Sequence, residues 1–239
     1  MPRPFLTDFR LENHTLLIDL GKRQRVLSSA PRRGGLVRAR YILNHQVMAN
    51  PVAAPRSALQ RRWDDPAMYL GRVAAQLAAD RNCVALMTAV PLTQLVTLRE
   101  QSSGVWVEGF FTVGVSNAVR AGEPTVATNR GQALPALGTI NIILVTNARL
   151  TSSALVGAVQ VATESKTSVL LSKKVPSWTG SPGATGTGTD AVVVACGSSP
   201  VLRYSGTHTK IGEMIGRLVQ RGVMEGLLRS KRWKHHHSR

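Results

Sequence analysis

The 239-residue sequence predicts a layered α/β domain, and three observations carry that expectation. Strand-like and helix-like segments alternate along the chain, which favours a sheet covered by helices. The run Gly-Thr-Ile-Asn-Ile-Ile-Leu-Val-Thr at 138–146 is almost continuously apolar, as a strand buried on both faces is. Three further segments repeat apolar residues at helical spacing.

In chain order, Thr15-Leu16-Leu17-Ile18-Asp19-Leu20 is an apolar run ending at Gly21. Leu36, Tyr41 and Leu43 mark a second strand, and Pro31-Arg32-Arg33-Gly34-Gly35 between them is turn chemistry. Asp65-Pro66 sets an N-cap before a first-turn proline, and Leu70, Val73, Ala74, Leu77 and Ala78 give that helix a buried stripe. It is expected to end near Asp80 to Asn82. Strands follow at 83–90 and 105–115, the second with Gly109 and Gly114 where backbone can approach a neighbour closely. After the 138–146 strand, Thr151 caps a helix with Leu150 and Leu155 as a hydrophobic staple and Leu155, Ala158, Val159 and Ala162 inward. A loop over 179–189 leads to the strand Ala191-Val192-Val193-Val194-Ala195-Cys196. The last helix starts near Thr209 with Ile211, Met214, Ile215 and Leu218 inward, and Gly222 is expected to loosen it. No repeat or linker divides the chain, so one domain over 1–228 is expected, followed by a frayed basic tail over 229–239.

Composition narrows the function. Hydrophobic residues make up 43% and charged residues 18%, which fits a folded domain rather than a disordered or fibrous chain. No apolar run approaches a bilayer span, and the first twenty residues carry Asp8, Glu12 and Asp19 in place of a signal core. With Cys83 and Cys196 both in apolar segments, a cytoplasmic protein with buried thiols and no membrane partner is expected. Thirty Lys and Arg against thirteen Asp and Glu leave +17. Arginines are scattered over the first 62 residues, however, and aromatic residues are only 5%, so stacking platforms for nucleic acid are scarce and no nucleic-acid partner is expected. His235, His236 and His237 lie on the terminus, and no metal-ligand spacing exists elsewhere.

Four places hold candidate chemistry. Gly186, Thr187, Gly188, Thr189 and Asp190 formally match a dinucleotide fingerprint with Ala191. A strand follows them, though, where the fingerprint opens a helix. What remains is a loop with backbone N–H donors, hydroxyls and one carboxylate, suited to a polar ligand or a developing oxyanion. The alternative is an ordinary Gly/Thr turn before a strand, which composition alone favours. His208, just before a helix, is either a general base or a polar residue at the helix start. Asn141 inside an apolar strand needs partners for its amide. Glu164 and Lys166 have a solvated helix face as their default.

Taken together, Gly138-Thr139-Ile140-Asn141-Ile142-Ile143, Ala162-Thr163-Glu164-Ser165-Lys166-Thr167, Ala184-Thr185-Gly186-Thr187-Gly188-Thr189-Asp190 and Gly206-Thr207-His208-Thr209-Lys210-Ile211-Gly212-Glu213 resemble the adenosylcobinamide amidohydrolase family. The likeness extends more faintly through Asn117 and Ser28-Ser29-Ala30, covering about Ser28 to Leu227, with Ser165 where the family has alanine. It implies a corrinoid-salvage enzyme that cleaves the amide between the f propionate of the corrin ring and the aminopropanol arm, giving adenosylcobyric acid. The corrinoid is substrate, so no separate cofactor is implied, and oligomeric state stays open. A trafficking protein that binds corrinoids without chemistry is the alternative. A fainter likeness, in Thr112-Val113-Gly114-Val115-Ser116-Asn117-Ala118, 138–148 and Gly188-Thr189-Asp190, is to self-processing aminopeptidases of four αββα layers with two mixed sheets. That likeness implies Thr112 as nucleophile. The resemblances together imply Asp190 or His208 activating water or assisting Thr112. Backbone donors of Gly186 to Thr189 and the Asn141 amide would hold the carbonyl or neighbouring amides, with Asn117, Glu164 and Lys166 also toward substrate.

Overall fold

A long hairpin founds the architecture. In the computed structural model, which describes residues 5–47, 65–79, 82–124 and 138–237, strand β1 (Asp8–Glu12) turns into β2 (Thr15–Ser28), and β2 pairs antiparallel with β3 (Gly35–Gln46). Between Asp19 and Gln24 the β2–β3 register jumps, a bulge with Gly21 at φ +74° that bends the strand. The strand therefore does not end with the apolar run at Gly21 but continues through the basic stretch to Ser28. Helix α1 (Pro66–Gln76) starts where expected, with the Asp65 carboxylate accepting from the Ala67 and Met68 N–H groups. It stops earlier than expected, at the Leu77 C-cap, and Ala78 takes φ +54°; Asp80 itself lies outside the described residues.

Next come β4 (Cys83–Thr88), β5 (Val96–Ser102), β6 (Val105–Val113), β7 (Ala118–Val119) and β8 (Ile140–Thr146). After β9 (Arg149–Leu150) come α2 (Ser152–Ser172), β10 (Gly186–Thr187), β11 (Ala191–Cys196), β12 (Val201–Leu202) and α3 (Lys210–His237). Thr151 caps α2 as its sequence requires, its hydroxyl oxygen accepting from the Ala154 N–H.

The main sheet runs β4-β3-β2-β11-β8-β6-β5, with β1 beside the first half of β2 and β11 beside its second half. Three apolar clusters show how it is layered. Leu16, Ile18, Ile42 and Leu86 from one half of the sheet meet Phe110, Ile143, Ala191 and Val193 from the other. Behind the first half, Leu17, Leu43 and Ala85 pack on Leu70, Val73 and Ala74 of α1. Behind the second, Ile142, Leu144, Val192 and Val194 pack against α2 and α3. The order is thus helices, sheet, sheet, helix. The two expected sheets are halves of one hydrogen-bonded sheet, because β2 pairs with both β3 and β11.

Close packing explains the glycines. A Cβ on Gly109 would stand 2.6 Å from Leu218 Cδ2, and one on Gly222 2.5 Å from the Phe111 ring. Gly222 therefore lets α3 press onto β6 and does not loosen the helix. Nor does the chain fray at Arg229. The helix runs on to His237, and the Arg229 guanidinium donates to the Leu95 carbonyl and pairs with Glu225.

Candidate active site

Where β3, β4 and β6 end, β8 and β11 begin, and a cavity of about 340 Å³ opens there between the sheet halves. Ser29, Met87, Thr139, Asn141, Thr189 and Asp190 are among its lining, with Val47, Pro66 and Leu86 supplying apolar wall.

Asp190 is the junction of the site. Its Oδ1 accepts from the Ile140 N–H at 2.9 Å and the Thr187 hydroxyl at 2.5 Å. Its Oδ2 accepts from the Lys166 ammonium at 2.5 Å and the Thr187 N–H at 3.0 Å. One carboxylate so ties together β8, α2 and the 184–190 loop, drawing three of the four sequence motifs to one point. Lys166 is buried, not solvated as its helix face suggested: its side chain is 9% exposed and that of Asp190 13%. A Cβ on Gly186 would lie 2.5 Å from Asp190 Oδ2 and 2.7 Å from Lys166 Nζ, so only glycine leaves room for this pair. A Cβ on Gly188 would meet nothing within 4 Å among the described residues.

Two of the loop's expected backbone donors, Thr187 and Thr189, turn inward on the loop itself. The Thr187 N–H serves Asp190, the Thr189 N–H points to Thr187 Oγ1 at 3.4 Å, and the Thr189 hydroxyl donates to the Gly138 carbonyl at 3.1 Å. Asn141, 1% exposed, donates from Nδ2 to Asn44 Oδ1 and to the Met87 carbonyl, both at 2.9 Å. With both protons engaged inside the protein, the Asn141 amide is not a donor to a bound carbonyl, contrary to the expectation drawn from sequence.

Other expected residues stand apart. Thr112 is fully buried within β6, opposite Asn141 in the β6–β8 ladder, and its Oγ1 accepts from Asn44 Nδ2 at 3.0 Å. The Phe111–Thr112 bond lies inside that ladder, so Thr112 sits behind the cavity floor and not in the cavity. His208 is exposed in the turn before α3, where the neighbouring Ser205 hydroxyl holds the Ala154 carbonyl at the first turn of α2. Ala154 and Lys166 are about 18 Å apart along that helix, so His208 is at the far end of the sheet from Asp190. Glu164 is exposed and accepts from Gln160. Asn117 stands beside the cavity-lining Gly138, and its buried Oδ1 has no hydrogen-bond partner among the described residues.

Sequence reasoning missed Asn44, although the signal that marks Asn141, an amide within an apolar strand, also marks Ile42-Leu43-Asn44. It gave no role to Ser29, whose exposed Oγ accepts from the Val192 N–H at 3.1 Å. Among the described residues no three His, Cys, Asp or Glu side chains cluster to hold a metal ion, and no helix is long and apolar enough to cross a membrane.

The protein is similar to known ones over nearly its whole length. The family model of adenosylcobinamide amidohydrolase matches residues 6–235. An uncharacterized protein of Methanocaldococcus jannaschii is 33% identical over 93% of this chain and 89% of its own. An adenosylcobinamide amidohydrolase of Methanosarcina mazei is 32% identical over 81% of this chain and 86% of its own. Among solved structures, a β-aminopeptidase of a Burkholderia species superposes with a TM-score of 0.45 at 13% identity, covering 90% of this chain and 78% of its own. A similarity of that size says nothing about which residue reacts. The match to the family model and the identity to the Methanosarcina enzyme decide the matter: this chain belongs to the adenosylcobinamide amidohydrolase family and is an amide-hydrolysing enzyme.

Proposed function

We propose that the protein hydrolyses the amide joining the corrin f propionate to the aminopropanol arm, giving adenosylcobyric acid for corrinoid salvage and remodelling. Family membership supplies the substrate class. The observation that carries the reading to a site is Asp190, where three motifs of the family likeness meet at the rim of one cavity.

Size agrees with that reading. At about 340 Å³ the cavity is at the small end for ligand pockets, which run from about 300 to 1,000 Å³. It takes a side arm and its amide, while the macrocycle stays at the mouth against apolar wall such as Pro31 and Pro66.

Amide hydrolysis needs an attacking oxygen, stabilisation of the tetrahedral oxyanion, and a proton for the departing amine. In this reading water attacks the carbonyl carbon. Asp190, the one titratable group among the described lining residues, takes its proton as the Thr187 hydroxyl swings away, and passes it to the amine as the C–N bond breaks. The Ser29 hydroxyl, held at the cavity mouth by Val192, keeps its own proton free for the oxyanion.

Incubation with adenosylcobinamide, followed by chromatography for adenosylcobyric acid and free aminopropanol, tests the reaction. Corrinoid binding without aminopropanol release would leave a binding protein in its place. Asp190→Asn is expected to lower kcat by about a hundredfold or more, since it removes the proton acceptor while keeping the side chain's shape. Wild-type turnover in that variant would take Asp190 out of the chemistry.

A further inference from the structure

The amide of Asn141 has a fixed direction, and the direction determines what it reads. A backbone carbonyl only accepts, so the Met87 oxygen at 2.9 Å compels Asn141 to turn its nitrogen inward. The second proton on that nitrogen meets Asn44 Oδ1 at 2.9 Å, which in turn points Asn44 Nδ2 at Thr112 Oγ1, 3.0 Å away. Flipping Asn141 would set two acceptors face to face at Met87. The Met87 carbonyl, Asn44 and Thr112 thus lock the amide from behind.

Asn141 lines the cavity, and Oδ1 is the atom of its amide that neither Asn44 nor Met87 engages. Its nearest donor is the Thr139 hydroxyl at 3.5 Å, whose single proton goes instead to the Thr189 carbonyl at 2.9 Å. A carbonyl oxygen has two lone pairs, so one reached only by a long, shared hydroxyl at 3.5 Å keeps room for an N–H that enters the cavity.

We infer that Asn141 Oδ1 accepts the N–H of the substrate's scissile secondary amide, and that Asn44 is the positioning residue that holds it ready. This rests on the reading above that an amide enters the cavity. A secondary amide has one N–H, so capturing it fixes the amide plane and therefore the face from which the carbonyl carbon is attacked. Specificity follows: the site prefers an amide to an ester of the same shape.

The test compares adenosylcobinamide with an analogue in which the scissile N–H is replaced by an ester oxygen. Affinity is read as KM where turnover occurs and as Kd from corrin absorbance where it does not. Wild type is expected to hold the amide about tenfold more tightly. Asn44→Leu, which removes one of the two acceptors that hold the Asn141 nitrogen and so loosens the amide, is expected to shrink that preference to about twofold or less, and Asn44→Asp, which keeps an acceptor for Asn141, to restore it. A purely structural role for Asn44 would weaken both ligands alike. Equal affinity of wild type for amide and ester overturns the inference, as does a full tenfold preference in Asn44→Leu. Should the leucine variant not fold, the wild-type comparison decides alone. Turnover with no N–H preference removes this inference and leaves the hydrolase standing. Preference without turnover does the reverse, and failure to bind either ligand removes both.

Discussion

Gly186 and Gly188 differ by two positions and by everything that surrounds them. A methyl group on Gly186 would press into the Lys166–Asp190 pair, whereas one on Gly188 would meet nothing. Gly186→Ala is therefore expected to cost about 1–3 kcal/mol in urea unfolding. It should also lower kcat/KM by about a hundredfold, since a displaced Asp190 no longer faces the bound amide. Gly188→Ala is expected to stay within about 0.5 kcal/mol of wild type. Equal effects of the two would mean that the carboxylate does not depend on the space at Gly186. In sequence these glycines look alike, because the residue that distinguishes them, Lys166, arrives from another helix.

Two carboxylates hold elements in place. Glu123 accepts the Arg120 N–H and the hydroxyls of Ser177 and Thr179, so its pKa falls to about 2, with the Arg120 backbone bond the largest cause and Ser177 next. A folded pKa below the ordinary 4.5 means that this contribution is fully present above pH 4.5 and is lost as pH falls through about 2. Trp178 sits between Ser177 and Thr179, its backbone N–H donating to the Ala118 carbonyl. An acid titration of a variant keeping Trp178 as its sole tryptophan should show its fluorescence changing in that window, and Glu123→Gln should remove the transition. Glu108 acts from within β6. Fully buried, it accepts the backbone N–H groups of Leu6 at 2.6 Å and Thr7 at 3.0 Å, with Arg99 Nε at 3.7 Å. Beside it Phe5 and Phe9 pack on Phe110, so the carboxylate fastens the N-terminal segment over the inner core. Glu108→Ala strands those buried backbone donors and takes away the carboxylate beside Arg99, and is expected to cost about 3–5 kcal/mol by denaturant unfolding. A loss under 1 kcal/mol would mean the segment is held by its aromatic rings alone.

Across the molecule, the separation of His208 from Asp190 has a measurable consequence. His208→Ala is expected to leave kcat/KM within about twofold of wild type, as for an exposed residue away from the site. A large loss would require the two ends of the sheet to meet during turnover. Much of the architecture was legible because it is local. The cap at Asp65, the cap at Thr151, the start of α3 and the strand Ala191–Cys196 each follow from neighbours in sequence. The edge strands β1 and β5 were not, since Phe9 and Leu11 in the one and Val96 and Leu98 in the other are only two apolar residues in alternation, too short a run to stand out. At the site, Asn141 announced itself as an amide in an apolar run, and Asp190 as the lone carboxylate of a Gly/Thr loop. By itself the sequence determined the α/β class, the positions of the helices and the family to which the chain is similar, because periodicity, capping and motif order are written along one dimension. Only the tertiary structure decided that Lys166 is buried against Asp190, that Asn141 faces inward with its nitrogen, that Thr112 lies behind the floor and that His208 is remote. Those facts depend on which strand ends and helix turns the bent β2 and the sheet crossovers bring together, and such long-range pairings leave no mark on adjacent residues.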